Sequence, residues 1–147
     1  KTLHILGVIL FMGNIIISAV WRLSVNNSKD VNLVKHALKL MTLSDLFFTL
    51  PGVILIGITG HMLAPKFGGI GAFAWIYHSY ALLTMSALIW LAVLLPIQLK
   101  QKRLLMDAED NLTSPQFKKL TFIWSILGTM AVSLPLGALV LMVLRPA

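Results

Sequence analysis

Four apolar runs, at residues 2–23, 42–64, 75–99 and 120–144, constrain this chain more than any other feature. The hydrocarbon core of a bilayer is roughly 30 Å thick, and about 20 apolar residues of helix are needed to cross it. All four runs reach that length, and each is too apolar for a helix that keeps one face in water. Inside lipid the backbone must satisfy its own hydrogen bonds, which makes each such segment a helix. The expected fold class is therefore all-α: a transmembrane four-helix bundle of up-down-up-down topology, built as a single domain by residues 1–147. Composition agrees, with 58% hydrophobic and 12% charged residues against roughly 45–50% and about 25% in soluble domains. Too few polar side chains remain to coat a globule in water.

Lys1 leads straight into the first run without an initiator methionine, so that run is expected to begin earlier in the full protein. It exceeds signal-peptide length and lacks an Ala-x-Ala cleavage pattern, which reads as a retained span. The connections 24–41 and 100–119 are polar, and 65–74 is a short Gly-rich turn. Ser28 is a candidate N-cap for a short helical approach to the second span. Ser114 before Pro115 fits a cap followed by proline at the first helical position. The two polar connections and their borders carry Arg22, Lys29, Lys35, Lys39, Lys100, Lys102, Arg103, Lys118 and Lys119, while the other side has Lys1, Lys66 and Arg145. By the positive-inside rule this asymmetry places loops 24–41 and 100–119 in the cytoplasm and both termini on the outer, periplasmic side of a bacterial inner membrane. Trp21, Trp75, Tyr77, Trp90 and Trp124 lie toward span ends and read as interfacial anchors. Asp107, Glu109 and Asp110 mix with neighbouring cations as a solvated loop. The Asn111-Leu112-Thr113 sequon falls on the cytoplasmic side and is set aside. The net charge of +7 belongs to these loops. No basic patch is interleaved with aromatics, so no nucleic-acid partner is expected; the partner is the lipid bilayer.

The chain has no cysteine, which removes disulfides, thiolate metal centres, iron–sulfur ligation and cysteine nucleophiles. No nucleophilic triad, phosphate loop or carboxylate pair emerges, so the chain is not expected to be an enzyme on its own. Of the four histidines, His36 falls in a cytoplasmic loop, whereas His4, His61 and His78 gather at the outer ends of spans one, two and three. Helices one and three of such a bundle are diagonal neighbours, separated by roughly 11–14 Å. His4 and His78 lie at similar depth, so the gap admits bis-histidine ligation of a b-type haem. Gly7, Phe11, Asn14, Ser18 and Arg22 share the face of His4, a small or polar stripe along which a flat ring can approach. The alternatives are a copper site at His4, His61, His78 and Met62, where imidazole and thioether suit the metal, or interfacial histidines without a cofactor.

Ionisable groups inside a membrane need partners, and Arg22 with Asp45 reads as a structural ion pair pinning spans one and two. Asp45, Thr49, Gly52, Ile56 and Thr59 form a polar seam on span two. Thr121, Ser125, Gly128, Val132 and Pro135 form one on span four; both read as packing contacts. Pro51, Pro96 and Pro135 mark places where a span can kink.

Leu3-His4-Ile5-Leu6-Gly7 with Gly13-Asn14, Asp45 with Leu50-Pro51-Gly52, Trp90 with Pro96-Ile97-Gln98, and the closing Leu141-Met142-Val143-Leu144-Arg145-Pro146 carry a resemblance. Along nearly its whole length the chain resembles an uncharacterised bacterial family of four-helix integral membrane proteins, a domain of unknown function. The Leu-His-x-x-Gly opening is also similar to that of the membrane protoporphyrinogen oxidases and the copper-resistance D proteins. The oxidase resemblance implies a haem role for His4. It does not extend to oxidase activity, because helix three has no Lys or Arg between His78 and Lys100. The resulting expectation is a membrane bundle that binds b-type haem for electron transfer, alone or as a small subunit of a respiratory assembly. The alternative is a non-redox structural subunit or a copper-handling membrane protein.

Overall fold

A computed structural model describes residues 1–107 and 109–145, the side chains of Glu109 and Asp110 excepted. Pro146 of the closing motif thus lies outside the described residues, as do the side chains of Glu109 and Asp110 in the acidic cluster. Apart from short connections the described residues are helical, and among them four helices are long and apolar enough to cross a membrane: Thr2–Val25, Val31–Phe67, Ala74–Asp107 and Pro115–Leu144. Their apolar side chains face outward, as with Leu23 at 74% exposed, which is the arrangement lipid requires rather than water.

The first helix is α1 (Thr2–Val25). The second joins α2 (Val31–Ser44) to α3 (Leu50–Leu63), and the third joins α4 (Ala74–Ile89) to α5 (Leu95–Asp107). At each junction lies one widened π turn, Asp45–Thr49 and Trp90–Leu94. The cause is a proline just beyond, Pro51 and Pro96, whose ring crowds the carbonyl four residues back and offers no N–H. The preceding residue reaches back five positions instead, Leu50 N–H to the Asp45 carbonyl and Leu95 N–H to the Trp90 carbonyl. The fourth helix, α6 (Pro115–Leu144), holds Pro135 in its interior.

The second and third helices are longer than their apolar runs. Much of the polar stretches 24–41 and 100–119 continues as helix, and Val25, Val34, Leu38, Leu105 and Phe117 build a core of their own there. Helix α2 starts one turn before its apolar face because Asp30 caps it, its Oδ1 accepting from Asn32 N at 2.9 Å and Leu33 N at 3.2 Å. Ser28, expected as that cap, instead accepts from Asp30 N at 3.1 Å. Ser114 caps α6 as expected, accepting from Phe117 N at 3.2 Å. Between α3 and α4, Gly68 (φ 85°) and Gly69 (φ 107°) take the left-handed conformations that reverse the chain.

The spans pack as two pairs. In the first, Gly7 of α1 and Gly52 of α3 bring backbones together; a Cβ on Gly52 would lie 2.9 Å from the Phe11 nitrogen. In the second, α4 lies along α6, where Ser79 Oγ donates to the Ala138 carbonyl at 3.3 Å and Ser86 Oγ to the Ala131 carbonyl at 2.6 Å. Residue 135, a proline, has no N–H to give Ala131, so Ser86 supplies the missing donor. Helices α1 and α6, by contrast, touch only sparsely. That weak seam positions everything described next.

Candidate functional site

Among the described residues three cavities border the α1–α6 seam; one, of about 590 Å³, lies at the loop end by Lys29, Phe117 and Lys118, and the other two lie within the spans. Of these two, one, of about 540 Å³, has His4, Val8, Trp75, Tyr80, Met142 and Arg145 among its walls. The other, of about 350 Å³, is bounded by Ser18, Arg22, Asp45, Trp90, Gln98 and Trp124, among others. His4 and Arg22 are eighteen residues apart on one helix, hence about 27 Å along its axis. These two cavities therefore occupy opposite halves of the bundle.

In the first cavity His4 is half-buried, and its Nδ1 lies 3.0 Å from Thr59 Oγ1. The Thr59 hydroxyl also reaches the Leu55 carbonyl; when it donates there, its oxygen accepts from Nδ1–H, and the lone pair of that neutral tautomer is on Nε2. Gly60 leaves room for this ring, since a Cβ there would stand 3.4 Å from His4 Cε1. At the same end, Arg145 lies over the rings of Phe67 at 5.5 Å and Trp75 at 5.9 Å, and Lys1 adds a second cation to the cavity wall.

In the second cavity the carboxylate of Asp45 is turned inward by the π turn that begins there. Its Oδ1 accepts from Asn14 Nδ2 at 3.0 Å and Thr49 Oγ1 at 3.1 Å, and its Oδ2 from Trp90 Nε1 at 3.4 Å. Asn14 Nδ2 also donates to Thr49 Oγ1 at 2.8 Å, tying α1 to the second helix. Arg22, 4% exposed, donates through Nη2 to Gln101 Oε1 at 3.0 Å and Thr121 Oγ1 at 3.2 Å. Its guanidinium lies 4.9 Å above the Trp124 ring. The expected Arg22–Asp45 ion pair is thus not formed: α1 hands its cation to α5 and α6 and presents Asn14 to the carboxylate instead. Both charged groups nevertheless border the same cavity.

Among the described residues, the buried side-chain polar atoms without a hydrogen-bond partner are Ser18 Oγ, Arg22 Nε, Tyr80 Oη, Gln98 Oε1 and Trp124 Nε1. Every one belongs to a residue that lines one of these two cavities.

The other residues singled out from the sequence are placed as follows. The stripe Gly7, Phe11, Asn14, Ser18 and Arg22 is the buried face of α1, but Gly7 sits against Leu55 and Ile56, and Phe11 packs with Met12 and Ile56. His78 is exposed, with Nδ1 2.6 Å from the Ala74 carbonyl of its own helix, and it does not border the His4 cavity. The buried face of α4 runs through Ile76, Ser79 and Ser86 instead, because small hydroxylated residues can approach α6 where an imidazole cannot. His61 and Met62 are exposed as well. Among the described residues no group of three or more histidine or acidic side chains gathers as a metal site. Trp90 and Trp124, read as anchors, are site residues through Asp45 and Arg22. Gln98, at the end of the third apolar run, and Gln101, just inside the loop 100–119, are both nearly inaccessible; neither is singled out by the sequence as a site residue.

This architecture defines an integral membrane protein with four candidate spans and, within them, a pair of cavities along one helix seam. The chain belongs to a family described as predicted integral membrane protein (DUF2269), whose model matches residues 1–146. No curated protein and no solved structure matches it significantly.

Proposed function

We propose that this protein binds a b-type haem in the His4 cavity, held by His4 as its one imidazole ligand, in a bacterial inner membrane with both termini outward. The observation that carries the reading is the anchoring of His4: its Nδ1 meets Thr59 Oγ1, and a proton on Nδ1 would leave Nε2 basic on a side chain that lines a cavity of about 540 Å³. A hydrogen bond on the distal ring nitrogen is the usual way a protein orients an imidazole ligand. The walls suit a flat apolar macrocycle, with Val8, Ile76, Leu139 and Trp75, and Lys1 and Arg145 supply positive charge for its carboxylates. Pairing of His4 with His78 does not fit, because His78 faces away from the cavity. Bound haem supplies one-electron chemistry, which fits electron transfer, alone or beside other subunits of a respiratory assembly. The excess of cations on the loops 24–41 and 100–119 supports the orientation and puts the His4 cavity in the outer leaflet.

The test is spectroscopic. Detergent-purified protein titrated with haemin is expected to show a Soret band and, on reduction, the single broad visible band of five-coordinate haem, with one iron per chain. His4→Ala is expected to abolish both and His78→Ala to leave them. Wild-type protein that gives no Soret band, or equal loss in the two variants, would overturn the reading.

A further inference from the structure

The second cavity combines features that packing alone does not explain. Arg22 and Asp45 are 4% and 5% exposed, border one space, and form no ion pair with each other. Buried charge in a bilayer is costly unless it is matched. Four further atoms on these walls lack partners: Arg22 Nε and Trp124 Nε1 are donors, Gln98 Oε1 is an acceptor, and Ser18 Oγ is either. Ser18, Arg22 and Gln98 are all more than nine-tenths buried. The remaining wall is apolar, with Phe11, Ile15, Leu94 and Leu136, and the space lies on the seam where α1 and α6 barely touch.

We propose that this cavity binds the head of a lipid-soluble quinol, which enters sideways between α1 and α6 and leaves its chain in the bilayer. The unpartnered atoms demand a head that accepts hydrogen bonds from Arg22 and Trp124 and also donates one to Gln98. A phenolic hydroxyl does both. An ionised fatty carboxylate only accepts; it leaves Gln98 unmatched and brings a second negative charge beside Asp45. At about 350 Å³ the space is near the small end of the ~300–1,000 Å³ typical of ligand sites, enough for a substituted ring without a long chain. The proposal concerns binding and stands independently of haem at His4.

The experiment uses the full chain in nanodiscs, titrated anaerobically by calorimetry with a short-chain benzoquinol and, separately, with decanoate, after subtraction of empty discs. Expected is saturable uptake of one quinol per chain. Trp124→Phe keeps the ring under Arg22 but removes its N–H, and Gln98→Leu removes the acceptor. Each should weaken binding about fivefold, the effect of one neutral hydrogen bond. Val140→Ala, on a surface position 53% exposed, should bind as wild type. Three outcomes overturn the proposal: no saturable uptake, as for a cavity that holds water alone; wild-type affinity in both site variants; or tighter binding of decanoate than of quinol. Neither site variant borders the His4 cavity, so haem spectra of the same samples report on that reading separately.

Discussion

Gly52→Ala tests the close contact of α1 with α3. The added Cβ would lie 2.9 Å from Phe11 N, 3.0 Å from Phe11 Cβ and 3.1 Å from Gly7 O, whereas ordinary contact begins near 3.4 Å. Two of those three atoms are backbone, so no side-chain rotation relieves the clash; α1 itself must recede by roughly 0.5 Å. Overpacking of this kind costs about 1–3 kcal/mol, offset by up to about 1 kcal/mol of helix propensity gained when alanine replaces glycine. The expected net loss is about 1–2 kcal/mol. Gly57→Ala is the control on the same helix: nothing lies within 4 Å of its Cβ, so the propensity gain of up to about 1 kcal/mol stands unopposed. The two variants should therefore differ by about 2–3 kcal/mol in reversible unfolding by SDS in mixed micelles, followed by circular dichroism. Stability of Gly52→Ala equal to or above that of Gly57→Ala would refute the close approach of α1 and α3.

Ser86→Ala should cost about 1–2 kcal/mol in the same assay by stranding the Ala131 carbonyl; in a Pro135→Ala background, where an N–H is restored, the same change should cost under about 0.5 kcal/mol. Asn14→Leu should destabilise by about 2 kcal/mol or more, because it withdraws a donor shared by Asp45 and Thr49, and Asn14→Asp should be worse because it sets two carboxylates together. The chain has no cysteine, so single replacements report on orientation: in intact cells Lys66→Cys should react with an impermeant maleimide, and Lys29→Cys only after permeabilisation.

The helical spans were legible because lipid reduces the problem to apolar length. The buried stripes of α1 and of the segment from Asp45 to Ile56 were legible too, since small and polar residues at helical spacing have no other place in a bilayer. The start of α6 at Ser114 and a helical approach to the second span were legible from local signals, but the capping residue of α2 and the reach of α5 past its apolar run were not, because they rest on Asp30 and on a core at Leu38 and Leu105 that hydropathy does not weigh. Pairwise choices were harder still. Arg22 and Asp45 looked like partners by depth, yet depth says nothing about rotation around each helix, and the π turn before Pro51 aims Asp45 at Asn14. For His78 the same ignorance of rotation mattered: one face of α4 holds Ser79 and Ser86, and the histidine falls on another.

Polar residues in a membrane bundle are usually explained as contacts between helices, and over most of this protein that account is sufficient. Asn14, Asp45 and Thr49 satisfy one another across α1 and the second helix; Ser79 and Ser86 each find a carbonyl on α6. If packing were the only demand, unpartnered atoms would be scattered or absent, since each costs about 1–3 kcal/mol when buried. Instead they fall on the walls of two cavities along the sparsely packed α1–α6 seam. Filling that seam with leucine and alanine would have been the simpler way to stabilise the bundle. Its combination of a guanidinium, a carboxylate, an oriented imidazole and idle donors is better explained by molecules taken up from the bilayer, and the difference can be read in a single comparison. Trp124→Phe should leave the unfolding free energy nearly unchanged while weakening ligand uptake, the reverse of what Ser86→Ala should do.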